Sequence, residues 1–349
     1  MRSLARALSF ALLLAPAISG AGAPLVAQEV PTIEEHVDGM AKLDGFIPMY
    51  WDADEGEMHL EISLFDTDLL HYVSLPAGLG QNDLGLNRGD LGPSQVVRFR
   101  LTGPRIMMVE PNYAYRANSD DPLEVKSVED GFPTSIHWGF DIEARTGDRY
   151  LVDATDFFMR DAFGLARRLQ SQGSFRLEES RSSFFEPRTR NFPDNTEVEL
   201  EMTFVAASAG GTLSSVTPTG TALTVRQHHS FVRLPPIDEF ETRAYDPRSG
   251  FFAGGYMDFA TPIQEPLQKR FIRRHRLEKR DPNAAMSEPV EPIVYYLDPG
   301  TPEPVRTALI EGGNWWNQAF EAAGFLDAFR VEMLPPDADP MDVRYNVIQ

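Results

Sequence analysis

The chain has no cysteine among its 349 residues. That excludes disulfides, thiolate metal sites, a cysteine nucleophile and lipid attachment through a cysteine. Histidine is sparse, and no two of His36, His59, His71, His137, His228, His229 and His275 stand four apart. A His-Glu-x-x-His zinc helix is therefore missing. Adjacent His228 and His229 would point to opposite faces of a strand and cannot share one metal. The seven read as ordinary strand histidines. There is no Gly-x-Ser-x-Gly nucleophile elbow, and no pair of carboxylates is singled out by spacing for glycoside hydrolysis. On these grounds the catalytic, cofactor-binding and metal residues of this stretch are none. Positive charge is also short, with 32 Lys and Arg against 52 Asp and Glu, a net charge of −20. Such a surface suits neither a nucleic-acid backbone nor an anionic membrane. No run after the first residues approaches the roughly 20 apolar residues of a spanning helix.

What is present is a globular composition, 42% hydrophobic and long enough for two ordinary domains. The first residues have another purpose. Arg2 and Arg6 precede the apolar stretch Ala7–Ile18, and small residues follow, which is the layout of a secretory signal peptide. Cleavage is expected after Ala27, with Ala23 as the other candidate. Removing two arginines takes the charge from −20 to −22. The protein is thus expected to be exported, periplasmic or extracellular in a bacterium.

The pattern divides the chain into a signal peptide (1–27), an acidic lead-in (28–45), a β-rich region (46–268), a basic segment and linker (269–292) and a terminal α/β segment (293–349). Within the β-rich region, strands are predicted at 47–52, 57–64, 68–75, 96–101, 105–110, 135–144, 149–152, 197–206 and 221–234, from period-two alternation between turn residues. Thr102-Gly-Pro104 and Arg145-Thr-Gly-Asp148 are the expected hairpin turns. Thr155–Leu169 reads as a helix capped by Thr155.

Two stretches invite a sharper reading. The loop Gly78–Gly92 lacks the third glycine of a dinucleotide fingerprint, since Asp83 takes its place, and lacks a phosphate-loop lysine. Asn82, Asp83, Asn87 and Asp90 could hold a calcium ion, although a turn-rich structural loop explains them as well. The run Lys269–Arg280 could be a domain-bridging segment docked on acidic surface, or a processing site at Arg280.

In the terminal segment, Ile293–Leu297 reads as a strand. Thr301 is placed as the cap of a helix beginning at Pro302, with Val305, Leu309, Trp316, Ala319, Phe320 and Ala323 on one apolar face and Gly324 as its stop. Gly312 and Gly313 inside that helix imply close packing on a sheet. Strands follow at Phe329–Leu334 and Arg344–Gln349. The fold class is α+β: a β-rich region and then the opening of an α/β layered domain, which is expected to be incomplete at Gln349.

The segments Ile293-Val-Tyr-Tyr-Leu-Asp-Pro-Gly-Thr-Pro-Glu-Pro-Val-Arg306 and Trp315-Trp-Asn-Gln-Ala-Phe-Glu-Ala-Ala-Gly-Phe325 resemble the start of the catalytic domain in a family of bacterial exported zinc-dependent metalloproteases, metzincin-like, with an uncharacterised β-rich N-terminal region. Further landmarks resemble the same family: Gly78-Leu-Gly80, Asp83-Leu-Gly-Leu-Asn-Arg-Gly89, Trp138-Gly-Phe140, Val152-Asp-Ala-Thr-Asp-Phe157, Phe259-Ala-Thr-Pro262, Arg273–Pro282 and Ser287-Glu-Pro-Val290. The resemblance implies a metzincin-like strand-helix-strand at 293–349 and, in the full-length parent, peptide-bond hydrolysis by zinc-bound water on a protein or peptide substrate. It implies that the zinc ligands lie beyond Gln349. This fragment is then expected to be inactive and to carry no zinc. Arg344–Ile348 resembles a strand that can help line the substrate cleft. The β-rich region would be a prodomain or chaperone for the protease, or a binding module for protein or glycan. The alternative is a non-enzymatic exported β-rich protein.

Overall fold

Side chains alternating between core and solvent around tight turns build most of the molecule. The computed structural model describes residues 30–236 and 241–349; the signal peptide read at 1–27 lies outside them. Thr32 opens a single-turn helix, α1 (Ile33–His36), through a capping box: its hydroxyl accepts from Glu35 N while the Glu35 carboxylate accepts from Thr32 N. Strands β1 (Ala41–Leu43), β2 (Met49–Asp52), β3 (Glu57–Ile62), β4 (Leu69–Ser74), β5 (Leu91–Thr102) and β6 (Arg105–Glu110) follow. Next come the short β7 (Tyr115–Arg116), helix α2 (Pro122–Gly131), β8 (Ser135–Thr146) and β9 (Arg149–Asp153). Gly103 and Gly147 take φ values of +57° and +65°, open to glycine without strain, and they close the two hairpins expected at those positions.

The turns α3 (Thr155–Phe158) and α4 (Leu165–Arg168) precede three two-residue strands, β10 (Arg176–Leu177), β11 (Ser183–Phe184) and β12 (Arg190–Asn191). The long strands β13 (Asn195–Val205) and β14 (Ala222–Arg233) flank the turn α5 (Gly211–Ser214). All these strands except β7 form one curled, antiparallel 13-stranded sheet in the order β1-β2-β3-β9-β8-β6-β5-β4-β14-β13-β10, with β11 and β12 also paired to β13. The pairing of β14 with β4 is what joins the two halves of the region. Its inner face holds the core, with Phe99, Phe140, Phe157, Phe158, Phe163, Phe204 and Phe231 all essentially inaccessible.

The helix expected over Thr155–Leu169 is instead two single turns. Gly164 adopts φ +79° between them, and the Asp161 carboxylate accepts from Leu165 N and Ala166 N, starting α4 afresh. The interruption lets Phe157, Phe158, Phe163 and Leu165 all enter the core, which one continuous helix could not do with residues spread around its axis. Helix α2, absent from the expected elements, carries no buried residue and little amphipathic pattern.

Downstream, β15 (Ala253–Asp258) and β16 (Gln268–Ile272) form a small sheet with β7, so the basic run opens as a strand. A last three-stranded sheet follows. β17 (Ile293–Leu297) lies at its centre, parallel to β18 (Phe329–Met333) and to β19 (Asn346–Ile348). Helices α6 (Val305–Asn314) and α7 (Asn317–Ala322) connect β17 to β18. The expected single helix is thus divided at Trp315–Trp316. It also starts later than expected, with Pro304 rather than Thr301 at the N-cap position, and Gly324 follows it at φ +90°. A Cβ at Gly313 would stand 2.4 Å from Val331 Cγ2, so that glycine sets how closely α6 approaches the sheet. A Cβ at Gly312 would meet nothing within 4 Å. Asn314 donates to Val331 O and accepts from Val331 N, closing backbone groups on the outer edge of β18. No helix among the described residues is long and apolar enough to cross a membrane.

Candidate functional site

The register of three strands gathers the most strongly polar group of residues on one face of the large sheet. Along β13, Glu197, Glu199 and Glu201 alternate with Val198, Leu200 and Met202, so the acids face away from the core. Pairing with β14 sets Glu199 opposite His228 and Glu197 opposite Ser230. Pairing of β14 with β4 adds Ser74 and Tyr72. Glu197, Glu199 and His228 are all buried, a placement that requires mutual pairing.

The pairing is complete. His228 Nε2 bonds Glu197, and His228 Nδ1 stands 3.0 Å from Glu199 Oε2. Glu199 also accepts from Arg226 and Arg188, each at 3.1 Å. Ser230 Oγ donates to Glu197 Oε2 at 2.6 Å, and Asn195 Nδ2 donates to Glu197 Oε1 at 2.6 Å. With an acceptor on each ring nitrogen, His228 carries both protons. Burial alone would push its pKa down; the bonds to Glu197 and Glu199 outweigh that and raise it to about 9. Burial likewise opposes the charge on Glu199, yet His228 and Arg188 hold its pKa below the ordinary value.

This network borders a cleft of about 780 Å³. One wall is the sheet face with Tyr72, His228 and Ser230 and the adjoining glycine-rich loop with Arg88; the other is the terminal segment around Met341, Tyr345 and Val347. Asn195 reaches across, donating to Met341 O at 2.7 Å and accepting from Val343 N at 3.1 Å. Arg88 faces Asp298 at 3.6 Å. The chemistry available here is binding and docking. His228 has no free lone pair for a proton or a metal, and the Ser230 hydroxyl is turned to a carboxylate rather than to a histidine base.

His229 faces the other way, as the adjacency with His228 implies. It meets His71 in the core, with Nδ1 and Nε2 3.2 Å apart, among Phe157, Phe158 and Phe231. Burial pushes His71 down to about 3 and His229 well below its ordinary value, so both are neutral. Gln227 latches the interrupted turn onto this strand: its Oε1 accepts from Phe163 N and its Nε2 donates to Arg160 O.

The glycine-rich loop is tied down by its own groups. Asp90 Oδ2 accepts from Asn87 N at 2.7 Å, Leu79 N donates to Leu86 O, and Leu86 is buried. One further cluster joins residues remote in sequence: His36, His59 and Glu143 offer ligand atoms within 4.8 Å of one another on the outer face of β3 and β8. Spacing along the chain carries no sign of it, because the three come from separate elements.

Fold and site together define a curled antiparallel β-sheet region docked on a parallel α/β unit, with a charged cleft between them. The family described as Domain of unknown function (DUF5117) matches residues 89–280, more than half of the chain, and the protein belongs to that family. The match begins just ahead of β5 and ends after β16. No curated protein and no solved structure matches the chain.

Proposed function

We propose that this chain is the amino-terminal part of an exported zinc-dependent metallopeptidase of metzincin-like type, in which the β-rich region serves the catalytic domain as a docked prodomain or folding chaperone. The terminal unit carries this reading. A strand, two helices and a strand are compatible with the order the resemblance implies, and the helical stretch leaves Val305, Leu309, Trp315 and Trp316 substantially exposed, with Trp315 71% accessible. An apolar face of this kind suits an element built to be covered by more protein. A self-sufficient cap ending a non-enzymatic protein would have no use for it. The Asn195 clamp on Met341 and Val343 supports the docked role of the β-rich region over that of a free-standing binding module, which would need no side-chain grip on the α/β unit.

The zinc ligands and the general base of the peptidase belong to residues beyond Gln349, and the substrate is a protein or peptide. Reading the gene past Gln349 tests the proposal. A His-Glu-x-x-His motif within about a hundred residues is the expected result; a stop codon directly after Gln349 would remove it. Inhibition or assisted refolding of the catalytic domain by the β-rich region added in trans would support the companion role, and no effect would oppose it.

A further inference from the structure

We infer that His36, His59 and Glu143 form a divalent transition-metal site, of the kind zinc occupies, that staples the amino-terminal helix to the large sheet. The inference does not depend on the peptidase reading, because all three residues lie in the β-rich region and its lead-in, and it departs from the expectation that this stretch holds no metal residue and carries no zinc.

The geometry fits a metal. Glu143 Oε2 lies 3.1 Å from His59 Nε2 and 3.6 Å from His36 Nε2. Atoms bonded to a tetrahedral zinc at about 2.0–2.1 Å stand roughly 3.4 Å from each other, and the two distances straddle that value. Glu143 Oε2 is buried and has no aligned hydrogen-bond partner despite its closeness to His59. His59 is 2% exposed, and its Nδ1 is buried without a partner. The two groups face each other as an ion pair at 3.1 Å, and a shared cation takes the place of the proton between them.

The backbone is arranged to bring the ligands together. Glu143 is the extra residue where the pairing of β8 with β9 shifts register between Ile142 and Ala144. Such a bulge re-aims a side chain that regular alternation would place elsewhere. His59 lies opposite Asp153 on β9, and Glu57 approaches its ring at 3.9 Å, so the surroundings are negative. His36 ends α1, whose start is pinned to the sheet: Glu34 binds Thr146 and Arg149, and Ile33 N donates to Thr146 Oγ1. The His36 and Glu143 side chains are about 30% accessible, so the cluster lies at the protein surface. Two histidines and one carboxylate favour zinc over magnesium or calcium, which take oxygen ligands.

The test is calorimetric titration of the chelator-stripped chain, ending at Gln349, with Zn²⁺, alongside visible absorption with Co²⁺ as a tetrahedral reporter. One equivalent should bind. His36→Gln and Glu143→Gln should each weaken binding by at least about tenfold, and both positions are exposed enough for the variants to fold. His275→Gln, on a separate exposed segment, should leave binding unchanged. Zinc should also raise the thermal midpoint of the parent and not of His36→Gln. The inference is overturned if no stoichiometric binding occurs, or if binding survives both ligand substitutions intact. Because the chain stops at Gln349, a downstream peptidase zinc cannot produce either result.

Discussion

His228 and the pair His71–His229 sit back to back on one strand, and they pull the pH dependence of stability in opposite directions. The pKa of His228 rises from 6.5 unfolded to about 9 folded. Its contribution is therefore fully present below about pH 6.5 and is lost as pH rises through 9. One pKa unit corresponds to about 1.4 kcal/mol, so the contribution is on the order of 3 kcal/mol. His71 is pushed down to about 3 and His229 is also lowered. Their neutral burial costs stability as pH falls below 6.5, because the unfolded chain then binds protons that the folded one refuses. Denaturant midpoints should peak near pH 6.5 and fall on both sides, and His228→Gln should flatten the alkaline limb. An alkaline limb of equal steepness in that variant would contradict the assignment. The opposed orientation of the two histidines was legible from their adjacency. Their environments were not, because Glu197 and Glu199 are met only through strand pairing, and pairing is not written in either strand alone.

At the scale of elements, the long hairpin strands followed directly from alternation and turn glycines, and the observed boundaries of β2–β4, β6, β8, β9, β13 and β14 lie close to the expected ones, whereas β5 starts at Leu91, inside the stretch read as a loop and five residues before the expected Val96. Elements held by tertiary contact escaped: the two-residue strands along β13, the pattern-poor α2, and the break at Gly164 that a capping argument at Thr155 could not reveal. The two mid-helix glycines, alike in sequence, differ in place. Gly313→Ala should destabilise by about 1–2 kcal/mol, because its Cβ would collide with Val331 and overpacking exceeds the helix-propensity gain. Gly312→Ala should stabilise by up to about 1 kcal/mol. Equal effects in chemical denaturation would refute the packing argument. Asn195→Ala removes both bonds to the terminal segment, so limited proteolysis should cut between Leu334 and Tyr345 markedly faster, with the β-rich region intact. An unchanged cleavage rate would mean that the clamp does not hold the two parts together.

For the whole molecule, the sequence pointed to a β-rich body followed by an α/β unit, which is the order observed. It did not disclose that one sheet curls through 13 strands, because joining its two halves depends on β4 meeting β14 across some 150 residues of chain. The charged cleft arises from the same long-range contact, as does the grip of β13 on the terminal segment. These features support the proposal that the β-rich region is a companion of the α/β unit in a peptidase. The most direct test is hydrolysis by the protein expressed through the continuation of its gene past Gln349. Cleavage of casein that stops with a chelator and returns with zinc, while the chain ending at Gln349 cleaves nothing, is the predicted result. Hydrolysis indifferent to chelation, or none from a folded, zinc-loaded full-length protein, would contradict it.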